Sequence, residues 1–245
     1  MSILALDIIF NRHQKFMKLG TLAFISVFTQ NISAAKIFYG RLGFDIISTE
    51  EKSVLMTDGN VYFDVRSSDR SAVALSYIAD DIVNRIEMAV NLELKIVEQS
   101  EHHAVILETN GLNILIVDST VVPLKEFIPK PVSVCGTLHE VSLETDDIER
   151  SITWWHNVGF KVTAHKETWC TLDDGKIRIG LYKKDSSPHK FKNPSLTYFE
   201  PDMRSRIAEL RKRGMAFVQD EREIGMEGHA IAASPDGQYF FLFTA

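Results

Sequence analysis

Acidic, hydroxyl-bearing and aromatic residues alternate with aliphatic ones along strand-like segments in the carboxyl-terminal half of the sequence. Glu140, Ser142 and Glu144 share one strand face, while Val141 and Leu143 point to the other. The same parity places further polar and aromatic side chains on that face: Arg178, Tyr182, Ser195, Thr197 and Phe241. A carboxylate on an aromatic-lined surface suits a ligand with a cationic or hydrogen-bond-donating group. The pattern therefore predicts a small-molecule site.

Two other interpretations of this face stay open. In the first, Glu140 and Arg178 form an internal ion pair and the protein's own side chains cover the face, because buried charges are usually paired. In the second, Glu140 is a general base, since burial raises the pKa of a carboxyl group toward neutrality. The sequence has no Ser-His-Asp or Cys-His arrangement and no phosphate-cradling glycine loop, so no other catalytic centre is predicted.

His139 is the residue next to Glu140 that could bind a metal. Because neighbouring strand residues face opposite ways, His139 is predicted to point away from the face that carries Glu140. A bulge or a register slip of one residue would reverse this orientation.

The strands that carry these residues belong to an internal repeat. Residues 20–65 align without a gap onto residues 136–181, and eleven positions in this window are identical. A duplication of this length implies two similar units that bury their hydrophobic faces against neighbours. Trp169 corresponds to Ser53 in the first copy, so its bulk is specific to the second copy, and we add it to the predicted ligand-binding set.

The elements follow a regular order. A β-rich segment, a polar residue such as Asn31, a helical segment ending at Gly43 and three more strand-like runs make one βαβββ unit. Four such units are predicted, which gives an α+β fold. The predicted organisation is an amino-terminal extension at 1–19, a first domain at 20–118, a proline-containing linker at 119–135 and a second domain at 136–245.

Composition restricts the function. The 245 residues are 45% hydrophobic and 24% charged, as in ordinary globular proteins, and the net charge of −6 argues against nucleic acid as a partner. Two cysteines are too few for a disulfide framework. The apolar run at 3–10 is short and contains Asp7, so neither a secretory signal nor a membrane partner is predicted, and a cytoplasmic location is expected.

The repeated pattern resembles the vicinal oxygen chelate superfamily, which includes glyoxalases, bleomycin-resistance proteins and extradiol dioxygenases. The resemblance rests on the order of elements and on two short motifs, Ile-Glu-Arg-Ser at 148–151 with Trp-Trp at 154–155, and Val-Gly-Phe at 158–160. It covers residues 20–243 and implies two tandem cupped mixed sheets, each built from two βαβββ units. In such proteins the cups bind the ligands.

The resemblance also implies three metal-ligand positions in each cup. They correspond here to Phe24, Ala74 and Leu115 in the first domain and to Glu140, Ser195 and Phe241 in the second. A divalent metal needs about three converging oxygen, nitrogen or sulfur donors, and neither set provides them. No metal or other cofactor is therefore predicted, and a divalent metal is retained as the alternative.

The sequence favours a metal-free small-molecule binding protein whose working cup is in the second domain. Bleomycin-resistance-like sequestration of an antibiotic, or binding of an amine or aromatic metabolite, is the family analogue. One alternative is a lyase, isomerase or dioxygenase that recruits a metal through His139 and Glu140. Another is a structural module in which the first domain forms the surface of a homodimer.

Overall fold

A computed structural model describes residues 16–122 and 130–245. Most of the extension predicted at 1–19, and residues 123–129 of the predicted linker, lie outside the described residues. The last residues of the extension pack against the rest of the chain: Met17 is fully buried, and its backbone N–H donates to Asn157 O over 2.8 Å.

Among the described residues, eight strands and two helices form the first half of the chain. The strands are β1 (Leu22–Thr29), β2 (Asp45–Thr49), β3 (Ser53–Thr57), β4 (Tyr62–Ser67), β5 (Ala72–Ala79), β6 (Lys95–Gln99), β7 (His103–Leu107) and β8 (Asn113–Asp118). The helices are α1 (Ile32–Leu42) and α2 (Ile82–Asn91).

The second half repeats this arrangement and adds one short helix. The strands are β9 (Glu140–Thr145), β10 (Lys161–His165), β11 (Trp169–Asp173), β12 (Arg178–Lys183), β13 (Ser195–Glu200), β14 (Phe217–Gln219), β15 (His229–Ala233) and β16 (Tyr239–Thr244). The helices are α3 (Ile148–Asn157), α4 (Met203–Lys212) and the additional α5 (Glu221–Ile224).

Each half forms one mixed eight-stranded sheet. The first sheet has the order β2-β3-β4-β1-β5-β8-β7-β6, and the second has the equivalent order β10-β11-β12-β9-β13-β16-β15-β14. In both sheets the first strands of two consecutive βαβββ units pair antiparallel in the middle, β1 with β5 and β9 with β13. This topology confirms the predicted α+β fold of four βαβββ units in two tandem sheets.

The helix ends follow the polar residues and glycines identified in the sequence. The Asn31 side chain caps α1 by accepting from Ala34 N over 2.9 Å, and Asp147 caps α3 by accepting from Arg150 N over 3.0 Å. α1 ends at Gly43, which has a φ of +86°. A residue with a Cβ would be strained there, so glycine is the residue that lets the chain turn into β2.

The alternation of side chains separates the core from the cups. Val141 and Leu143 are at most 1% exposed and lie in the main hydrophobic core, as predicted. Trp154 and Trp155 also lie in this core and so are not available as a stacking surface in the cup. The opposite faces of the two sheets carry the candidate ligand-binding residues, and we call them the first cup (β1–β8) and the second cup (β9–β16).

The two halves share one continuous core. The Phe38 ring on α1 lies 5.2 Å from the Phe240 ring on β16, centroid to centroid, and Tyr39 lies 5.9 Å from the same ring. Buried residues of both halves form a single cluster around these rings. Among the described helices, none has the length and hydrophobicity needed to cross a bilayer.

Candidate functional site

Glu140 is the central polar residue of the second cup. It is 2% exposed, and its Oε1 accepts from Tyr182 Oη over 2.6 Å and from Ser142 Oγ over 2.9 Å. Burial raises the pKa of the Glu140 carboxyl, and the two hydrogen bonds only partly oppose this. The carboxylate is therefore held by hydroxyl groups and not by a cation.

The strand pairing explains how this cluster forms. Ser142 pairs with Ser195 and Thr197 pairs with Glu140 across β9 and β13, and Ser142 Oγ lies 2.6 Å from Thr197 Oγ1. On the other side of β9, Gly180 pairs with Ser142, and any Cβ at position 180 would overlap the Glu140 carboxylate. The predicted residues Glu140, Ser142, Tyr182 and Thr197 thus lie together, with Ser195 alongside.

Arg178 does not join them. Its Nε donates to Asp173 Oδ2 over 3.1 Å, and the side chain is about half exposed. The internal ion pair between Glu140 and Arg178 that the sequence left open is therefore absent. Arg178 instead lines a smaller cavity of about 320 Å³ between the two halves, together with His139 and Phe199.

Glu144 and Trp169 lie away from the buried cluster. Glu144 Oε1 accepts from the backbone N–H of Asp185 over 3.2 Å, and Lys166 Nζ lies 5.2 Å from the centre of the Trp169 ring. Both side chains are half-buried. They belong to the margin of the second cup.

The second cup is filled by its own side chains. Phe241 is 3% exposed, and Phe191 from the loop between β12 and β13 packs on it with ring centroids 5.1 Å apart. Next to them His189 stacks on Phe243 at 4.3 Å and on His229 at 5.5 Å. Burial beside His229 lowers the pKa of His189 to about 4, so this stack is uncharged at neutral pH. Ser195, Thr197 and Phe241 lie beneath these rings.

The first cup contains a cavity of about 610 Å³. Phe24, Ala74 and Leu115 lie on its floor, and these are the three positions at which the family resemblance implies metal ligands. Ser26 and Ser76 lie between them, and their hydroxyl oxygens are 2.7 Å apart, so neither needs a ligand to satisfy it. Cavities of this size with a mainly apolar lining are typical of small-molecule sites.

An ion pair in the first cup was missed in the sequence. Arg66 Nε donates to Asp64 Oδ2 over 2.6 Å, and both residues line the cavity. Asp64 is 8% exposed, and burial raises its pKa although Arg66 opposes the shift. The repeat contained the signal, because Asp64 and Arg66 align with Gly180 and Tyr182 of the second copy. Each cup therefore keeps one buried carboxylate, but on a different strand.

A histidine–glutamate pair lies at the margin of the first cup. His103 Nε2 is 2.9 Å from Glu98 Oε1, and its Nδ1 is 2.8 Å from Ser100 Oγ. Both ring nitrogens are thus engaged by neighbours. His103 and His229 each begin the third strand of their unit, as predicted from their matching positions.

The donor sets do not fit a divalent metal. Phe24, Ala74 and Leu115 offer no donor atom, and in the second cup Glu140 is accompanied by Ser195 and Phe241. His139 is not placed to bind a metal together with Glu140. It lies half-buried beside Phe199, with ring centroids 5.0 Å apart, and lines the cavity of about 320 Å³ between the two halves. Within residues 16–122 and 130–245, no group of three His, Cys, Asp or Glu side chains could hold a metal ion.

This arrangement defines a tandem α+β protein with one cavity-bearing cup and one filled cup. The family model of the Glyoxalase/Bleomycin resistance protein/Dioxygenase superfamily matches residues 137–241. The resemblance to this superfamily that was predicted from the sequence is therefore confirmed for residues 137–241. No curated protein sequence matches the chain.

Solved structures extend the likeness over both halves. The Mn(II)-bound glyoxalase from Novosphingobium aromaticivorans is 14% identical with a TM-score of 0.61, covering 90% of this chain and 80% of that one. Homoprotocatechuate 2,3-dioxygenase from Arthrobacter globiformis is 9% identical with a TM-score of 0.64, covering 94% and 82%. An extradiol ring-cleaving dioxygenase from B. fuscum is 10% identical with a TM-score of 0.62, covering 96% and 74%. At these identities the likeness establishes the fold and leaves the function open.

Proposed function

We propose that the protein binds a small organic molecule in the first cup and does so without a divalent metal. The single observation that carries this proposal is the cavity of about 610 Å³ whose floor has Phe24, Ala74 and Leu115 in the positions of the family's metal ligands. These side chains cannot coordinate a metal, but they can make apolar contacts with a bound organic molecule. The ligand would be held mainly by burial of its own apolar surface.

The proposed site differs from the sequence-based hypothesis, which placed the working cup in the second half. The predicted residues Glu140, Ser195 and Thr197 are at most 2% exposed in the structure. Phe191 packs on Phe241 and on Tyr182, whose hydroxyl is hydrogen-bonded to Glu140. A ligand would have to displace these rings before it could reach Glu140, whereas the first cup needs no such rearrangement.

The enzymatic alternative has weaker support from the same geometry. A metal-dependent lyase, isomerase or dioxygenase needs a donor set that neither cup supplies. A metal-free general base needs to contact its substrate, and Glu140 is hydrogen-bonded to Tyr182 and only 2% exposed. We therefore favour binding or sequestration over catalysis.

A neutral fluorescent dye, N-phenyl-naphthylamine, tests the site directly. The full chain is expected to bind one equivalent with increased dye fluorescence and to gain thermal stability, since a ligand that binds only the native state stabilises it. Ala74→Phe, which fills the cavity floor, should reduce dye affinity at least tenfold. Ala208→Phe, the same change at an exposed position of α4, is the matched control and should bind like wild type.

The outcomes separate the proposal from its rivals. Unchanged dye binding by Ala74→Phe would place the site elsewhere and overturn the proposal. Elemental analysis of protein purified without chelator gives an independent readout: a stoichiometric transition metal would favour the enzyme, and its absence together with dye binding would support a metal-independent binder.

We also retain a cytoplasmic location and a homodimer as proposals. The two cysteines, Cys135 and Cys170, are buried free thiols, which suits a reducing compartment. Ile46 and Val97 are about half exposed on the edge strands β2 and β6, where a second copy could pair. Sedimentation equilibrium at micromolar concentration tests the dimer, and a monomer there would count against it.

A further inference from the structure

We propose that the first cup selects an elongated, uncharged ligand that carries amide-like groups at both ends of an apolar body. This inference rests on the proposed function and specifies the class of molecule that the same cavity takes. It follows from the position of the polar side chains across the sheet and from the hydrogen-bonding groups that they leave available.

The polar side chains lie at the two ends of one row across the first sheet. Asp64 on β4 pairs with Ser26 on β1, Ser26 pairs with Ala74 on β5, and Ala74 pairs with Asn113 on β8. Three strand spacings separate Asp64 from Asn113, which is about 14 Å between backbones. The middle of the row has only a hydroxymethyl and a methyl side chain, so a rigid ligand can lie along it above Phe24 and Leu115.

One end of the row presents a donor and an acceptor side by side. Arg66 gives its Nε–H to Asp64 Oδ2, and the terminal N–H groups of its guanidinium have no hydrogen-bond partner among the described residues. Asp64 Oδ1 likewise accepts no hydrogen bond within this part of the chain. A carboxamide fits such a pair, since its carbonyl accepts from the guanidinium while its N–H donates to the carboxylate.

Charge complementarity favours a neutral group at this end. Asp64 and Arg66 neutralise each other, so a ligand carboxylate would meet the buried charge of Asp64 and a ligand ammonium would meet Arg66. Either charged ligand would lose hydration and gain an unfavourable neighbour. The other polar pair lining the cavity is Glu98 with His103, and both imidazole nitrogens of His103 already have hydrogen-bond partners within the protein.

The opposite end of the row is also uncharged. Asn113 lines the cavity, is half-buried, and its side-chain amide makes no hydrogen bond to any described residue. A half-buried amide gains from a partner that both accepts and donates, which a second carboxamide supplies. Both ends therefore call for the same neutral chemistry, joined by a flat apolar spacer.

A series of probes with one spacer and different ends tests this inference. Isothermal titration calorimetry on the full chain would compare the para,para-dicarboxamide, dicarboxylate and bis(aminomethyl) derivatives of biphenyl, with displacement of N-phenyl-naphthylamine as a second readout. The dicarboxamide is expected to bind at least tenfold more tightly than either charged analogue. The biphenyl monocarboxamide should lose affinity relative to the dicarboxamide, because only one end of the row is then engaged.

A variant that removes the charge of Asp64 gives the sharper test. Asp64→Asn keeps the shape of the side chain but leaves Arg66 without its counter-charge, so the preference should shift at least tenfold toward the dicarboxylate. Asp173→Asn makes the same change in the Asp173–Arg178 pair of the second sheet and should leave the preference unchanged.

The possible failures are distinguishable. Dye binding that is lost in Ala74→Phe, with no preference among the three biphenyls, would overturn the ligand class and leave the binding site intact. A wild-type preference for the dicarboxylate or the diamine would also overturn it. Failure of the dye and of every biphenyl to bind would overturn the proposed function itself.

Discussion

The Tyr77 hydroxyl donates a 2.9 Å hydrogen bond to Asp174 Oδ2, which joins β5 of the first sheet to the closing turn of the second half's first unit. Asp174 Oδ1 meanwhile accepts from the N–H groups of Lys176 and Ile177. Tyr77 is fully buried, and burial together with Asp174 raises the pKa of its hydroxyl well above the usual value. The bond therefore persists as a neutral donor to a carboxylate across the whole physiological range.

The pseudo-symmetric pair behaves differently. Tyr198 occupies on β13 the place of Tyr77 on β5 and lies near Asp58, but Asp58 Oδ2 already accepts from Leu138 N over 2.6 Å. The Tyr198 hydroxyl is buried and makes no hydrogen bond of good geometry to the described residues, although it lies close enough to Asp58 for that carboxylate to help raise the pKa of the hydroxyl. One tyrosine bond, from Tyr77 to Asp174, and one backbone bond, from Leu138 N to Asp58, are thus among the hydrogen bonds that join the two halves, although the tyrosine–aspartate pairs are duplicated.

This asymmetry predicts unequal effects of one substitution at the two sites. Tyr77→Phe should lower the free energy of unfolding by about 1.5–3 kcal/mol, because it removes a hydrogen bond to a charged group and leaves Asp174 with one partner fewer. Tyr198→Phe should be neutral or slightly stabilising, since it removes an unsatisfied buried hydroxyl. Urea denaturation of both variants measures the difference, and equal losses would contradict it.

The paired hydroxyls of Ser26 and Ser76 in the first cup predict that the effects of removing them on stability are not additive. Ser26→Ala alone leaves the Ser76 hydroxyl without its partner at a fully buried position and should cost about 1–2 kcal/mol. Adding Ser76→Ala removes that orphaned group, so the double variant should be less destabilised than the sum of the single variants. A double-mutant cycle by urea denaturation measures this, and strict additivity would show that the two hydroxyls do not interact.

The buried carboxyl of Glu140 predicts that replacing it with a neutral side chain stabilises the protein by an amount that depends on pH. Its folded pKa lies above the ordinary value of 4.5, so the native state holds the proton more tightly than the unfolded state does. Stability contributed by this group is therefore complete below about pH 4.5 and declines as the pH rises through the elevated folded pKa. Each unit of elevation corresponds to about 1.4 kcal/mol.

Glu140→Gln should accordingly match wild type near pH 4 and become progressively more stable than wild type toward pH 7. Thermal unfolding across this range measures the difference. The matched control is Glu87→Gln, an exposed glutamate of α2 that forms no ion pair within the described residues, and it should show no comparable growth of stability with pH. A constant difference between Glu140→Gln and wild type would mean that Glu140 is not protonated preferentially in the native state.

The sequence predicts most of the fold because the alternation of apolar and polar residues in the strands is a local signal, and the internal repeat shows the same order of elements in both copies. Strand parity alone separates Val141 and Leu143 from Glu140 and Ser142, and the structure follows it. The polar cap at Asn31 and the glycine at Gly43 likewise act within a few residues of their own position. Local signals of this kind need no knowledge of distant packing.

Local sequence patterns could not predict which of the two cups contains the open cavity. This depends on whether a loop residue such as Phe191 meets Phe241, which lies far along the chain on the closing strand, and no local pattern encodes that contact. The sequence identified the polar cluster around Glu140 but not that aromatic rings would cover it. Asp64 lies on β4, so the side-chain alternation of β1 does not reveal it, whereas its aligned partner Gly180 shares the strand face of Arg178 and Tyr182.

The packing of Phe191 in the second cup predicts that removing this ring allows the second cup to bind a small molecule. Phe191 packs against Phe241 and Tyr182 with centroid distances of 5.1 and 6.0 Å, and its loop is held by Asn193, whose side-chain amide donates to Glu144 O over 2.8 Å. Phe191→Ala removes the ring while leaving this anchor in place. The Glu140 cluster should then become accessible to a small apolar molecule.

The experiment uses the Ala74→Phe variant as its starting point, because its first cup is filled and is expected not to bind the dye. Adding Phe191→Ala should restore binding of about one equivalent of N-phenyl-naphthylamine and lower the free energy of unfolding by ~2–4 kcal/mol, as for truncation of a partly buried aromatic ring. Phe217→Ala, a half-buried ring on β14 that packs against the core under Arg211, is the control and should destabilise without restoring the dye. Restoration by both variants would indicate general loosening, whereas restoration by Phe191→Ala alone would mean that a single loop residue keeps the second cup closed.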